Sequence, residues 1–135
     1  MIKTPTSLEK SDIENILHPY TQIASHIETG PLVITRGEGI HVYDESGNKY
    51  IEGLAGLWCT SLGFNNQKLV EASQNAMRSL PFYHSFGGKS HPSAIKLAAK
   101  LIEMAPVPMS KVFFANSGSE ANDTAVKIIW YINNQ

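Results

Sequence analysis

Asn116, Ser117, Gly118 and Ser119 are the residues of this 135-residue chain whose types and spacing best suit them to hold an anion. A helix that begins directly after a Gly/Ser turn presents backbone N–H groups with no intrahelical acceptor. The helix dipole adds partial positive charge at the same point. Together these make a site for a phosphate. Gly118 lets a ligand approach the backbone closely, and Ser117 and Ser119 add hydroxyl donors. A Ser or Gly before a helix is also ordinary capping, so the local pattern leaves both readings open.

Two elements must position this turn. Residues 111–115, Lys-Val-Phe-Phe-Ala, form a short aromatic and β-branched run, which predicts a strand covered on both faces. After the turn, Ala121, Ala125, Ile128, Ile129 and Ile132 recur on one face of a helix. A parallel strand needs a neighbour reached by the return leg of a βαβ unit. No second strand follows in the sequence, so an incomplete domain is expected.

The preceding chain divides by its punctuation. Residues 1–17 predict a short helix, with Thr6 and Glu9 or Ser11 and Glu14 as a capping box. Such a helix suits either an arm on a partner subunit or a loosely attached terminus. An irregular stretch opens at His18-Pro19-Tyr20-Thr21. Runs at 32–36, 40–43 and 49–52 are separated by Gly37-Glu38-Gly39 and by Asp44-Glu45-Ser46-Gly47-Asn48, which predicts an antiparallel meander. Residues 53–63 are Gly-rich and apolar, so burial is expected. Trp58 within them would fill a core or wall a pocket. Helices are predicted over 66–80, capped by Asn65 or Asn66, and over 91–104, with Pro92 in the first turn. Between them, Phe82, Tyr83 and Phe86 lie in a Gly-rich loop, which suits an interface or a ligand wall.

Composition narrows the classes. Hydrophobic residues make up 42% and charged residues 17%, as in globular proteins. A net charge of -1 with no basic stripe argues against nucleic-acid binding. The one cysteine, Cys59, excludes an internal disulfide and fits a reducing compartment. The N-terminal residues have no signal-type apolar run, and no segment has the apolar length of a membrane span. A cytoplasmic location is the expectation.

Other constellations carry less. Gly88-Lys89-Ser90 matches the end of a phosphate loop, but Tyr83 stands where that motif needs its first glycine. His18, His26, His41, His84 and His91 show no ligand spacing on one element beyond the loose His84 and His91, so no metal site is expected. Nothing activates Cys59 as a nucleophile.

Several stretches taken together resemble the N-terminal part of a class III (ω-type) pyridoxal-phosphate aminotransferase. They are His18-Pro19-Tyr20-Thr21, Thr35-Arg36-Gly37-Glu38-Gly39, Gly47-Asn48-Lys49, Gly53-Leu54-Ala55-Gly56-Leu57-Trp58, Leu80-Pro81-Phe82-Tyr83, Ser90-His91-Pro92, and Val112-Phe113-Phe114-Ala115-Asn116-Ser117-Gly118-Ser119-Glu120-Ala121. The resemblance runs from about His18 to the C-terminus in family order.

It implies an α/β, fold-type-I PLP-dependent transferase, represented in part. Residues 1–53 would be an N-terminal arm and part of a small domain, and residues 54–135 the start of the large cofactor-binding domain. Gly118 and Ser119 would bind the phosphate of pyridoxal 5'-phosphate, with Asn116 and Ser117 shaping the turn. Leu57, Trp58, Tyr83 and Phe86 would line the substrate pocket, with Phe86 reaching across a homodimer. The partners implied are an amine or ω-amino acid donor and a keto acid acceptor such as pyruvate. The family's Schiff-base lysine lies beyond this chain, since none of the nine lysines has a matching context. The chain alone is therefore expected to be inactive. The alternatives are a non-catalytic remnant or interaction module docking on intact homologues, and an aminomutase or decarboxylase of the same fold. Leu57-Trp58 favours the ω-aminotransferase branch over these last two.

Overall fold

The computed structural model describes residues 4–134, so expectations touching residues 1–3 and 135 lie outside the described residues. The chain forms two compact units, residues 1–79 and 80–135.

The first unit opens with helix α1, Ser7–Asn15, started by a capping box. Thr6 Oγ1 accepts the Glu9 amide at 3.2 Å, and Glu9 Oε2 accepts the Thr6 amide at 2.7 Å. Of the two boxes offered by the sequence, Thr6 with Glu9 is the one that forms. The Thr6 hydroxyl also donates to Glu45 Oε1 at 2.8 Å, which ties the helix start to the sheet. A second helix, α2, spans Ile23–Thr29 and ends at Gly30 with φ 73°. The sequence marks this stretch only as irregular, because no side chain caps it and Ile23 and Ile27 are its only large apolar pair.

The expected meander is present. Strands β1 (Ile34–Glu38), β2 (His41–Asp44) and β3 (Lys49–Ile51) form an antiparallel sheet in sequence order. An irregularity between Ile34 and Arg36 shifts the β1–β2 register. Arg36 and Tyr43 are cross-strand partners, and the guanidinium lies 3.6 Å from the ring centroid.

The β2–β3 turn is built on Asp44. Oδ1 accepts the amides of Ser46 at 2.9 Å and Asn48 at 2.8 Å. Oδ2 accepts Asn48 Nδ2 and the Tyr50 hydroxyl, both at 2.9 Å. Four donors on one carboxylate favour its charged form, and the Asn48 side chain contributes most to holding the Asp44 pKa below its ordinary 3.8. The sign follows from linkage. A depressed folded pKa stabilises the turn above the unfolded value, and that contribution is lost as pH falls through the folded value. Acid titration from pH 7 should therefore leave Tyr50 amide protection unchanged until below pH 3.8. Hydrogen exchange checks this, and an Asp44→Ala chain should lack the protection at every pH.

The β1–β2 turn is stitched to the following loop. Gly39 and Phe64 exchange backbone hydrogen bonds of 3.0 and 2.8 Å. Phe64 covers Gly37 so closely that a Cβ there would stand 2.5 Å from its ring. Between sheet and loop, residues 55–58 form a single turn, α3 (Ala55–Trp58), and α4 follows at Gln67–Ser79. The Leu69 amide lies 3.4 Å from Asn66 Oδ1, which makes Asn66 the capping residue.

The second unit holds a short 3-10 turn at Phe86–Gly88, helix α5 (Pro92–Met104) and helix α6 (Gly118–Asn133). The strand expected at residues 111–115 does not form. The segment runs without a ladder partner among the described residues. A strand is defined by pairing, and residue propensity cannot replace the missing neighbour. A cavity of about 630 Å³ lies beside this segment, lined by Ala94, Ile95 and Ala98 of α5 and by Val112 and Phe114.

The burial expected for residues 53–63 is also overturned. Leu54, Leu57, Trp58 and Leu62 are all exposed. The predicted helix stripes exist, but Leu69, Met77, Ile128, Ile129 and Ile132 remain about half exposed or more. Val42 is the only buried hydrophobic residue among the described residues. Hydrophobic burial is the main favourable term in folding. The 135-residue chain by itself should therefore unfold in a broad, weakly cooperative transition and bind a hydrophobic dye strongly before heating. A sharp calorimetric melt of the monomer would contradict this.

Candidate cofactor and substrate site

Helix α6 begins as the sequence predicts. Ser117 is the N-cap, in extended conformation at φ -148° and ψ 161°. Its Oγ accepts the Glu120 amide at 3.2 Å, and its carbonyl accepts the Ala121 amide at 3.0 Å. Glu120 Oε2 accepts the Asn116 amide at 2.9 Å, which folds the acidic side chain back beneath the turn. The amides of Gly118 and Ser119 are then left as the first two donors of a 16-residue helix, with no acceptor among the described residues. The Ser119 hydroxyl has no partner among the described residues either. A Cβ added to Gly118 would meet nothing within 4 Å, so the space beside its Cα is open. Asn116, Ser117, Gly118 and Ser119 thus form one continuous turn at the start of α6.

Leu57 and Trp58 lie on a backbone that their residue types do not announce. Ala55, Gly56, Leu57 and Trp58 have φ of 50, 59, 60 and 67°. Four consecutive residues in the left-handed region make a left-handed helical turn, closed by Trp58 N–H to Leu54 C=O at 2.9 Å and Cys59 N–H to Ala55 C=O at 3.0 Å. L-residues other than glycine resist this geometry by about 1–2 kcal/mol each. Such strain persists where surrounding structure enforces it, and it clusters at ligand sites. The turn projects Trp58 outward, 78% exposed. Only Gly56 hints at it in the sequence, because the other three residues are ordinary helix formers.

Tyr83 and Phe86 are brought together through His84. The Tyr83 and His84 rings stack at 4.9 Å with an interplanar angle of 19°, and His84 and Phe86 lie 6.0 Å apart at 40°. His84 Nδ1 accepts the Phe86 amide at 3.2 Å, which fixes the loop. Tyr83 also lines a cavity of about 340 Å³ with His91, Ala94, Leu97 and Phe114. His84 is the residue that the aromatic pattern alone passes over.

A separate cluster joins the N-terminal elements. Asp12 accepts His18 Nε2 at 2.9 Å and His26 Nε2 at 3.0 Å. Its pKa lies below 3.8, chiefly through the His18 hydrogen bond, with His26 adding to it against partial burial. Spacing on single elements could not reveal this cluster, because its members come from α1, the following loop and α2.

The family model for aminotransferase class-III matches residues 23–135. Gamma aminobutyrate transaminase 1, mitochondrial, of Solanum lycopersicum is 49% identical over 121 residues, which is 89% of this chain and 24% of that protein. The crystal structure of the omega transaminase from Pseudomonas jessenii in complex with PMP is 62% identical, with a TM-score of 0.89 over 96% of this chain and 28% of that one. A thermostable omega transaminase variant, W58G, engineered for asymmetric synthesis of enantiopure bulky amines, is 61% identical, with a TM-score of 0.89 over 95% of this chain and 28% of that one.

The fold is therefore part of the fold-type-I architecture of the pyridoxal-phosphate-dependent transferases. The chain belongs to the class-III aminotransferase family. It spans about a quarter of the length of the curated relatives it matches.

Proposed function

We propose that these residues supply one edge of the phosphate cup and part of the substrate wall of an aminotransferase. That enzyme would move an amino group from an amine or ω-amino acid to a keto acid such as pyruvate. The observation that carries the reading is the pair of unengaged amides at Gly118 and Ser119, beneath open space at the start of α6.

The residues fit an anionic cofactor tail. Two N–H groups, the Ser119 hydroxyl and the helix dipole all favour negative charge at one place. Ser117 keeps its Oγ on the Glu120 amide and so holds the turn open for the ligand. Asn116 fixes the Glu120 carboxylate on its own amide, so that this charge is occupied in holding the turn. Pyridoxal 5'-phosphate, when bound, supplies an electron sink for the bond changes at the amine carbon. Leu57 and Trp58 would wall the pocket that admits the amine, with Tyr83 and Phe86 closing it, Phe86 from across a homodimer. The W58G variant among the related structures, engineered for bulky amines, supports that placement of Trp58. We further propose that residues 1–53 serve the arm and small domain and 54–135 the large domain, in a cytoplasmic enzyme. The lysine that moves the proton would come from the rest of the family fold, so these 135 residues alone would be inactive.

The test is a chimaera in which this chain replaces the matching quarter of the Pseudomonas jessenii omega transaminase. Retained cofactor absorbance and turnover of an amine with pyruvate are expected. A folded chimaera that binds no cofactor would overturn the reading. The uncovered stripes of α4 and α6 favour a second reading, a module that docks on intact homologues. Co-purification of the separate chain with the intact transaminase, without gain of activity, would favour that reading.

A further inference from the structure

The Asp12, His18 and His26 cluster has no place in the transamination chemistry proposed above, yet its three donor groups converge. Asp12 lies in α1, His26 in α2, and His18 in the loop between them. One ligand atom from each residue lies within 4.8 Å of the others. The carboxylate-to-imidazole separations are 2.9 and 3.0 Å. Ligands about 2.0–2.1 Å from a tetrahedral ion stand roughly 3.3 Å apart. An outward movement of a few tenths of an ångström would bring the two carboxylate–imidazole edges to that spacing, and the imidazole–imidazole edge already lies within 4.8 Å. The two imidazole rings are tilted by 52° with centroids 4.6 Å apart, so their Nε2 edges turn toward the shared carboxylate.

Protonation allows it as well. With both Nε2 atoms on Asp12, neither Nδ1 has a hydrogen-bond partner among the described residues. Neither is a buried orphan, since Thr60 Oγ1 is the only buried polar side-chain atom without a partner among those residues. In the metal-free cluster each Nε2–H donates to Asp12; with the ring protons on Nδ1 instead, both Nε2 lone pairs could face an ion in place of those hydrogen bonds. A carboxylate and two imidazoles are donors of the kind a divalent ion takes. The donor set of two imidazoles and one carboxylate selects against the hard oxygen-seeking ions and against thiophilic ones. His18 is the more open of the two histidines, with about a third of its side chain exposed, so a fourth position would face solvent.

We propose that Asp12, His18 and His26 form a binding site for a first-row divalent cation, zinc fitting best, which fastens helix α1 to helix α2. The ion would close the sequence gap of 14 residues between Asp12 and His26 and hold the loop at His18 against both helices. This role is structural and separate from the phosphate cup.

The probe is zinc alone, titrated into the metal-free 135-residue chain and into the metal-free chimaera, followed calorimetrically. One equivalent should bind, and Asp12→Asn, His18→Gln and His26→Gln should each weaken it at least tenfold. Cys59→Ser, His41→Gln, His84→Gln and His91→Gln should leave it unchanged. Cobalt in place of zinc should give the visible absorption of a four-coordinate ion, and His26→Gln should abolish it. Using the chimaera as well as the chain guards against loss of fold in either. No binding below millimolar zinc in the chimaera would overturn the site. Binding indifferent to Asp12→Asn and His26→Gln would do the same, and would leave the cluster as a hydrogen-bonded clasp only.

Discussion

Replacing Gly118 by valine in the chimaera should weaken pyridoxal-phosphate retention by roughly two orders of magnitude. The side chain would enter the open space above the first two amides of α6 and hold the phosphate off them. A hydrogen bond to a charged group contributes about 1.5–3 kcal/mol. Losing one to two of them totals about 3 kcal/mol, or roughly 10²-fold in dissociation constant. Equilibrium dialysis with absorbance detection measures this directly. The companion Ser119→Ala keeps the amide and loses only the hydroxyl, so its expected loss is nearer tenfold. The ordering matters more than either value. If Ser119→Ala hurts more than Gly118→Val, side chains and not the backbone hold the tail. If neither matters, the phosphate binds elsewhere.

The second large effect concerns the pocket wall. Trp58→Gly in the chimaera should raise kcat/KM for a bulky amine relative to a small one by roughly 10- to 200-fold. The basis is the usual 1–3 kcal/mol of discrimination per carbon group that a pocket must accommodate, here gained by removing an obstructing ring. The same change relieves left-handed strain at φ 67°, since glycine adopts that region freely. Thermal stability should therefore hold or rise despite loss of a large apolar side chain, because that side chain is 78% exposed within this chain. A rise in activity toward both amines without a change in their ratio would place Trp58 outside the pocket.

Much of the architecture could be read from local chemistry. Thr6 and Glu9 announce their helix because a capping box is a short-range device. The meander shows in the alternation of β-branched runs with Gly-rich turns, and Asp44 with Asn48 marks the tightest of them. The Ser117-Gly118-Ser119 turn is legible for the same reason. What failed depended on distant groups. Residues 111–115 have the composition of a buried strand, yet pairing is a property of two segments and only one is present among the described residues. The apolar character of residues 53–63 predicts burial because composition reports affinity for cover, yet the large side chains Leu54, Leu57, Trp58 and Leu62 are exposed. Helix α2 escaped notice for want of a capping side chain. Asp12, His18 and His26 escaped because three elements must fold before their donors meet.

The turn at residues 55–58 carries a stereochemical consequence. Its backbone is the mirror image of an ordinary helical turn, so the hand of each amino acid there is mismatched to the fold. A D-leucine placed at position 57 by chemical ligation would sit in its own preferred basin, whereas the same enantiomer within α4 would break that helix. This stretch is thus a point where inverting one chiral centre should stiffen the protein beside Trp58 without altering a single side-chain atom.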